Sequence, residues 1–258
     1  MKEIRYVLLD PTGNLTVLAE SDVPPEAQPA VAGQIMKKEP AAEQVGFVSA
    51  ESDGIALRMA GGEFCGNAAM SAAVLFAVDH GITDGRIRVT VSGTPAPVEV
   101  AVCAADNERM RGTVAMPRPV SIGEEELPGG GPRTVVRFDG IAHVILETPL
   151  PRERAEALAP LWCRHLGAES LGILTFDRPA GTLLPLVYVP AADTLCWEHS
   201  CASGTTAVGA FLAAGEGPGS WSFRQPGGIL TVEADPAGRL FLTGYVRLCA
   251  RRSIRIAE

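Results

Sequence analysis

The chain has 258 residues, of which 47% are apolar and 20% charged, so it can bury a sizeable core and is no disordered scaffold. At about 150 residues per domain, this length suits one large domain or two modest ones. The formal net charge is −8 and the 19 arginines are scattered rather than gathered in a stripe, which argues against a nucleic-acid partner.

In chain order, short strands are predicted over 3–9 and 14–19, a helix over 26–37 after Pro24 and Pro25, and strands over 45–50 and 54–59. The segment 65–79, CGNAAMSAAVLFAVD, is small or apolar on every side, which marks a helix enclosed all round. Strands over 86–92, 96–103 and 111–116 follow. The Pro- and Gly-rich stretch 116–134 with its acidic run is expected to be a linker. The second half opens with strands over 133–138 and 141–147, then a helix over 152–165 with Leu158, Leu161 and Leu166 as its apolar stripe. Strands over 171–177 and 182–189 lead to a second small-residue helix, 201–214, CASGTTAVGAFLAA. Strands over 220–224, 228–234, 239–243 and 245–256 end the chain. The 28 glycines and 20 prolines show no three-residue period and fit many tight turns between short strands.

The two small-residue helices recur in order, one in each half, which predicts a duplication. The expected fold is α+β: two pseudo-symmetric lobes, each a curved, mostly antiparallel sheet or barrel around one central helix. The lobes are placed at 1–118 and 119–258, with the last strand free to pair back with the first lobe.

The stretches without Asp, Glu, Lys or Arg reach 15 and 17 residues (64–78 and 199–215), short of a membrane span of roughly 18 or more. The opening MKEIRYVLLDPTG has no signal-peptide pattern. The six cysteines show neither CxxC pairing nor a His at zinc-ligand spacing, so they are expected to be reduced thiols of a cytoplasmic protein without a structural metal. Cys103, Cys163, Cys196 and Cys249 are expected to be structural.

Cys65 and Cys201 differ, because each opens a small-residue helix. The first amides of a helix have no internal partner and carry partial positive charge, which lowers a thiol's pKa and attracts a carboxylate. Gly66 and Asn67 beside Cys65, and Ala202, Ser203 and Gly204 beside Cys201, supply such amides without bulk. With the lobes facing one another, one thiolate would take a proton from a carbon while one thiol returns a proton to the other face. That is cofactor-independent racemisation or epimerisation of a small amino acid.

At these residues the chain resembles the diaminopimelate epimerase and proline racemase superfamily. DPTGNLTVL (10–18), FCGNAAM (64–70), GIAHVILE (140–147) and WEHSCASGTTAVGA (197–210) carry the likeness. The resemblance implies two α/β lobes, pyridoxal-free catalysis by Cys65 and Cys201, substrate contact by Asn14, His143 beside the catalytic centre and, in many members, a homodimer. The chain departs from diaminopimelate epimerases in running from Arg58 to Cys65 through MAGGEF without an Asn. It also has His199, not an Arg, after Glu198. The grip on a distal amino-carboxylate is thus altered. The compact GGEFCGN form is closer to epimerase-like amino-acid racemases, histidine racemases among them. Glu63 and Glu198 are candidates to bind a substrate ammonium or cationic side chain, and His143 and His199 to tune a thiol. His80 and His165 suit helix C-termini. The rival readings are a methylitaconate-type or phenazine-type isomerase, diaminopimelate epimerase proper, and a non-catalytic carboxylate-binding protein.

Overall fold

Period-two burial, as at Ile87, Val89 and Val91, makes most of this chain strand. The computed structural model describes residues 2–256, which divide into two units: residues up to 115 with those from 243 onward, and residues 116–242.

The first unit contains β1 (Lys2–Pro11), β2 (Thr16–Ala19), α1 (Gln28–Lys38), β3 (Gln44–Glu51), β4 (Gly54–Met59), α2 (Gly66–Asp79), β5 (Asp84–Val91), β6 (Val98–Ala104) and β7 (Arg109–Met116). Most of the last strand, β16 (Leu240–Ile256), belongs here too. The strands run in chain order from β1 to β7, and β16 lies between β7 and β1, closing eight strands into a barrel. Two pairs are parallel, β2 with β3 and β4 with β5. Each is joined by a helix, as a parallel pair requires. The helix α1 covers the outside, burying Gln28, Val31, Ala32 and Ile35 along one face. By contrast, α2 packs against β1, β2, β4, β5 and β6, with every residue from Gly66 to Leu75 buried. An eight-stranded barrel has room inside for little more than side chains, so an enclosed helix must be narrow. The Ala and Ser of α2 meet that limit, and so does the wall: a Cβ on Gly112 would stand 3.2 Å from Met70.

The second unit again sets two helices among its strands: β8 (Ser121–Leu127), β9 (Gly131–Phe138), β10 (Ile141–Leu146), α3 (Arg152–Leu166), β11 (Ser170–Asp177), β12 (Thr182–Val189), β13 (Thr194–Trp197), α4 (Ala202–Glu216), β14 (Gly219–Gln225) and β15 (Gly228–Ala234). Parallel pairs again flank the crossover helices, β10 with β11 across α3 and β12 with β14 across α4. The central helix α4 packs against β9, β10, β11, β14 and β15. At Gly209 a Cβ would meet Val232 of β15 at 2.3 Å, so only glycine fits there. The expected α+β architecture, strands around a small-residue helix in each half, is what forms.

Three expectations are corrected, and one strand is added. The stretch 116–134 is not a free linker: it forms β8 and the start of β9, and Arg137 of β9 holds Glu125 of the acidic run at 2.9–3.0 Å. The apolar face of α3 is Ala155, Ala159, Trp162, Cys163 and Leu166, while Leu161 is 38% exposed, because Trp162 takes the core-facing position beside it. The strands expected at 239–243 and 245–256 are one strand through Gly244. The short strand β13, half hidden in the polar approach to Cys201, was not anticipated. Among the described residues no helix is long and apolar enough to cross a membrane.

The first unit is fastened by a buried polar clasp. Glu39, just past the end of α1 and 6% exposed, accepts from Tyr6 at 2.7 Å and from Arg252 of β16 at 2.8 and 2.9 Å. Burial alone would raise the Glu39 carboxyl, but these hydrogen bonds and the positive charges of Arg252 and Lys38 hold it below its ordinary value. Burial and the carboxylate push the Tyr6 phenol up to about 12. A carboxyl lowered in the folded state stabilises above its unfolded pKa, and that stability is lost as pH falls through the folded value. Glu39→Gln is therefore expected to cost roughly 1–3 kcal/mol at pH 7, or several degrees of melting temperature. The deficit should shrink as the wild type is acidified below the usual glutamate range. A deficit independent of pH in thermal melts would refute the role of the ionised carboxylate.

Candidate active site

Each central helix begins at a cysteine, and the two beginnings have the same geometry. Cys65 precedes α2 with extended backbone (φ −132°, ψ 115°), and its Sγ accepts the Ala68 N–H at 3.4 Å. Cys201 precedes α4 (φ −118°, ψ 113°), and its Sγ accepts the Gly204 N–H at 3.4 Å. In both, sulfur performs the capping task that a Ser or Asp oxygen performs elsewhere. Gly66 and Asn67 follow Cys65, and Ala202 and Ser203 follow Cys201, as the first residues of their helices. Gly204 has no side chain for a reason: a Cβ there would lie 2.7 Å from Leu174 and 3.3 Å from the Cys201 sulfur.

In the first unit, a line of amides runs into Cys65. The Cys65 thiol donates to Gln44 Oε1 at 2.9 Å. Gln44 Nε2 donates to Asn14 Oδ1 at 2.6 Å and to Thr16 Oγ1 at 2.8 Å, and Asn14 Nδ2 donates to Glu43 at 2.7 Å. A carboxylate only accepts, so Glu43 orients the whole line and leaves the Gln44 carbonyl facing sulfur. Asn14 is 3% exposed, with its side chain engaged in this line. Glu63 is exposed, and its carboxylate lies over Gly61, where a Cβ would stand 2.4 Å from Oε2. The turn holding it is fixed by Ser92, which donates to the Glu63 carbonyl at 2.8 Å, and by Gly93, packed on the backbone of Phe64.

In the second unit, Cys201 is 5% exposed. Burial pushes its thiol well above the ordinary value, and the charge and hydrogen bond of Glu198 push the same way. Hydrogen bonds from Ser203 and Gly204 pull it back. The lowering expected for a thiol at a helix start is thus reversed here, because desolvation and a carboxylate outweigh the terminal amides. Ser203 Oγ lies 3.5 Å from the sulfur and 3.1 Å from His143 Nε2. His143 is fully buried, and burial brings its imidazole down to about 3, so the ring is neutral. It stands behind Ser203. His199 is exposed, and its carbonyl accepts from Gly227 at 2.8 Å.

Several residues of these constellations were not anticipated from the sequence. Gln225 accepts from the Cys201 N–H at 2.9 Å and donates to Thr205 at 2.7 Å, while Thr205 donates to the Cys201 carbonyl at 2.7 Å. This closed loop fixes the backbone of Cys201. Trp197 donates to Glu156 at 2.7 Å beneath the Arg152 guanidinium, tying the approach to Cys201 onto α3. Glu43 and Gln44 lie where β3 begins, with Gln44 opposite Thr16 in the parallel register. Their signal was a pair of polar residues leading an otherwise apolar strand. The other cysteines divide: Cys163 is buried in α3, Cys103 is half-buried, and Cys196 and Cys249 are exposed rather than packed away. Among the described residues, no group of three or more His, Cys, Asp or Glu is placed to hold a metal ion.

The family model described as the histidine racemase CntK N-terminal domain matches residues 3–251. A histidine racemase of Fusobacterium nucleatum is 31% identical, with 97% of each chain covered. A histidine racemase of Staphylococcus aureus is 26% identical over 89% of this chain and 88% of that one. Among solved structures, a hydroxyproline epimerase from Agrobacterium vitis has a TM-score of 0.69 at 12% identity, covering 98% of this chain and 91% of that one, and so shares the fold. The duplicated architecture, the two cysteine-capped helices and a match over nearly the whole length agree: the chain belongs to the histidine racemase CntK family and is an isomerase of the racemase and epimerase class.

Proposed function

We propose that the protein racemises a free amino acid, histidine foremost, with Cys65 and Cys201 as the proton-transfer pair. The observation that carries this reading is the matched capping geometry: two enclosed helices, each starting at a thiol that accepts the N–H three residues on. In the reaction, a thiolate takes the α-proton, forming an S–H bond as the C–H bond breaks. The other thiol then gives its proton to the opposite face of the carbon, leaving a thiolate. The opposite hand of substrate reverses the roles. Charge developing on the substrate is stabilised by holding its carboxylate at the helix-start amides of Gly66, Asn67, Ala202, Ser203 and Gly204.

Glu198 is the carboxylate against which Cys201 keeps its proton, and Gln44 does the corresponding task for Cys65 with a neutral carbonyl. Glu63 and His199, both exposed, are assigned to the substrate ammonium and side chain. Asn14 acts through Gln44. Histidine is favoured as substrate by the named activity of the relatives and by the lack of an Arg after Glu198. A cytoplasmic location and a homodimer complete the reading, supported by cysteine spacing without a CxxC pattern and by the family resemblance.

Cys65→Ser and Cys201→Ser should each lower kcat/KM for histidine racemisation by roughly a thousandfold or more, since a hydroxyl is a far poorer base than a thiolate. The Kd for histidine should change only a few-fold. Turnover surviving in either variant, followed by chiral chromatography, would sink the two-thiol scheme.

A second experiment needs no mutation. With single-enantiomer histidine in deuterated water, solvent deuterium is expected on the α-carbon of the product hand early in the reaction, and not on the remaining substrate. Equal labelling of both hands from the start would point to one base serving both faces.

A further inference from the structure

His143 is used by no step above, although it is a fully buried histidine one hydroxyl away from a reacting sulfur. Its two ring nitrogens have unequal surroundings. Nε2 meets Ser203 Oγ at 3.1 Å, whereas Nδ1 is buried without a hydrogen-bond partner. Nδ1 faces Gly172, the residue opposite His143 in the parallel pairing of β10 with β11, and a Cβ on Gly172 would come within 2.1 Å of it. Phe138 presents an edge to the ring, with centroids 6.1 Å apart. Glu198 is the charged side chain that acts on Cys201, whereas what acts on the imidazole is burial.

A neutral imidazole carries one N–H. Placed on Nδ1, that hydrogen would be driven into the Gly172 methylene with no acceptor, and a buried unmade donor is costly. Placed on Nε2, it is donated to Ser203, and the bare Nδ1 faces C–H groups, which it tolerates. Once Ser203 Oγ accepts from His143, its own hydrogen must go elsewhere. The sulfur of Cys201, 3.5 Å away, lies in reach. The hydrogen bonds then run one way, from His143 to Ser203 to Cys201.

We propose that His143 is a fixed hydrogen-bond donor that locks the Ser203 hydroxyl into donating to Cys201, so that this sulfur has a donor waiting whenever its proton leaves. It is a positioning residue, acting only through Ser203, and it is not the base. This rests on the reading of Cys201 as a proton carrier. The sulfur is flanked by Glu198, which favours the thiol, and by Ser203 and Gly204, which favour the thiolate. A group that must be both within each turnover suits such a place.

The test combines histidine tautomer assignment with Cys201 alkylation. In the wild-type protein, ¹⁵N NMR of labelled histidine should show His143 protonated on Nε2 across the pH range in which the protein is folded. A hydrogen on Nδ1 overturns the proposal. Iodoacetamide rates at Cys201, separated from the exposed cysteines by peptide mass spectrometry, should fall roughly tenfold in Ser203→Ala, the worth of one charge-assisted hydrogen bond. Ser203→Thr should restore them. His143→Leu should also slow alkylation, and the double variant should be no slower than Ser203→Ala alone. Additive losses would show that His143 acts by another route. None of these readouts requires turnover. If the wild type racemises no amino acid while the tautomer and the coupling hold, the functional reading fails and the relay stands. Racemisation with additive losses gives the reverse.

Discussion

A helix enclosed by strands on every side is constrained in what it can display. Its flanks must be small enough to fit, so they carry Ala, Gly, Ser and Thr rather than chemistry, and its only open positions are its ends. In this protein the constraint applies twice. The lengths of α2 and α4 are taken up with packing, with glycines at 112 and 209 letting wall and helix touch. What remains is the first turn, where backbone amides point outward and the capping residue has an extended conformation. Cysteine at that position caps its helix, and much of what surrounds the two sulfurs serves to hold those caps still.

The two beginnings are alike in backbone and unlike in support. Cys65 faces a line of neutral amides that ends in the Glu43 carboxylate, so its proton rests against a carbonyl. Cys201 faces a carboxylate directly and two donors besides, in a place almost closed to water. The two scaffolds are thus equivalent in backbone, and side chains arriving from neighbouring strands make them different. Gln225 illustrates how indirect that support is: it accepts the backbone N–H of Cys201 and so steadies the cap from the main chain.

How much of this could be read from residues alone follows from the range of the interactions. The central helices were legible because their composition is itself the consequence of enclosure, and CGNAAM and CASGTT each announce a start. The doubled α+β plan was legible for the same reason. The supports were not. Gln44 reaches Cys65 across 21 positions and His143 reaches Ser203 across 60, and no local pattern encodes a pairing register of that span. The stretch 116–134 misled because Pro and Gly clusters at its ends are strand-ending turns, while Glu124, Glu125 and Glu126 lie along an outer strand whose charges suit water. The depressed thiol expected at Cys201 failed on burial, which depends on how tightly distant strands close around it.

The strand that closes the first barrel, β16, follows the whole second unit in sequence. Lys2 lies opposite Ile256 and Pro11 opposite Val246, so β1 finds this neighbour only more than two hundred positions later in the sequence. Until β16 is made, the first barrel is a ring left open between β7 and β1. Such distant pairing is slow, and an open rim invites other strands. The first barrel can therefore close only after the residues of the second unit have been made.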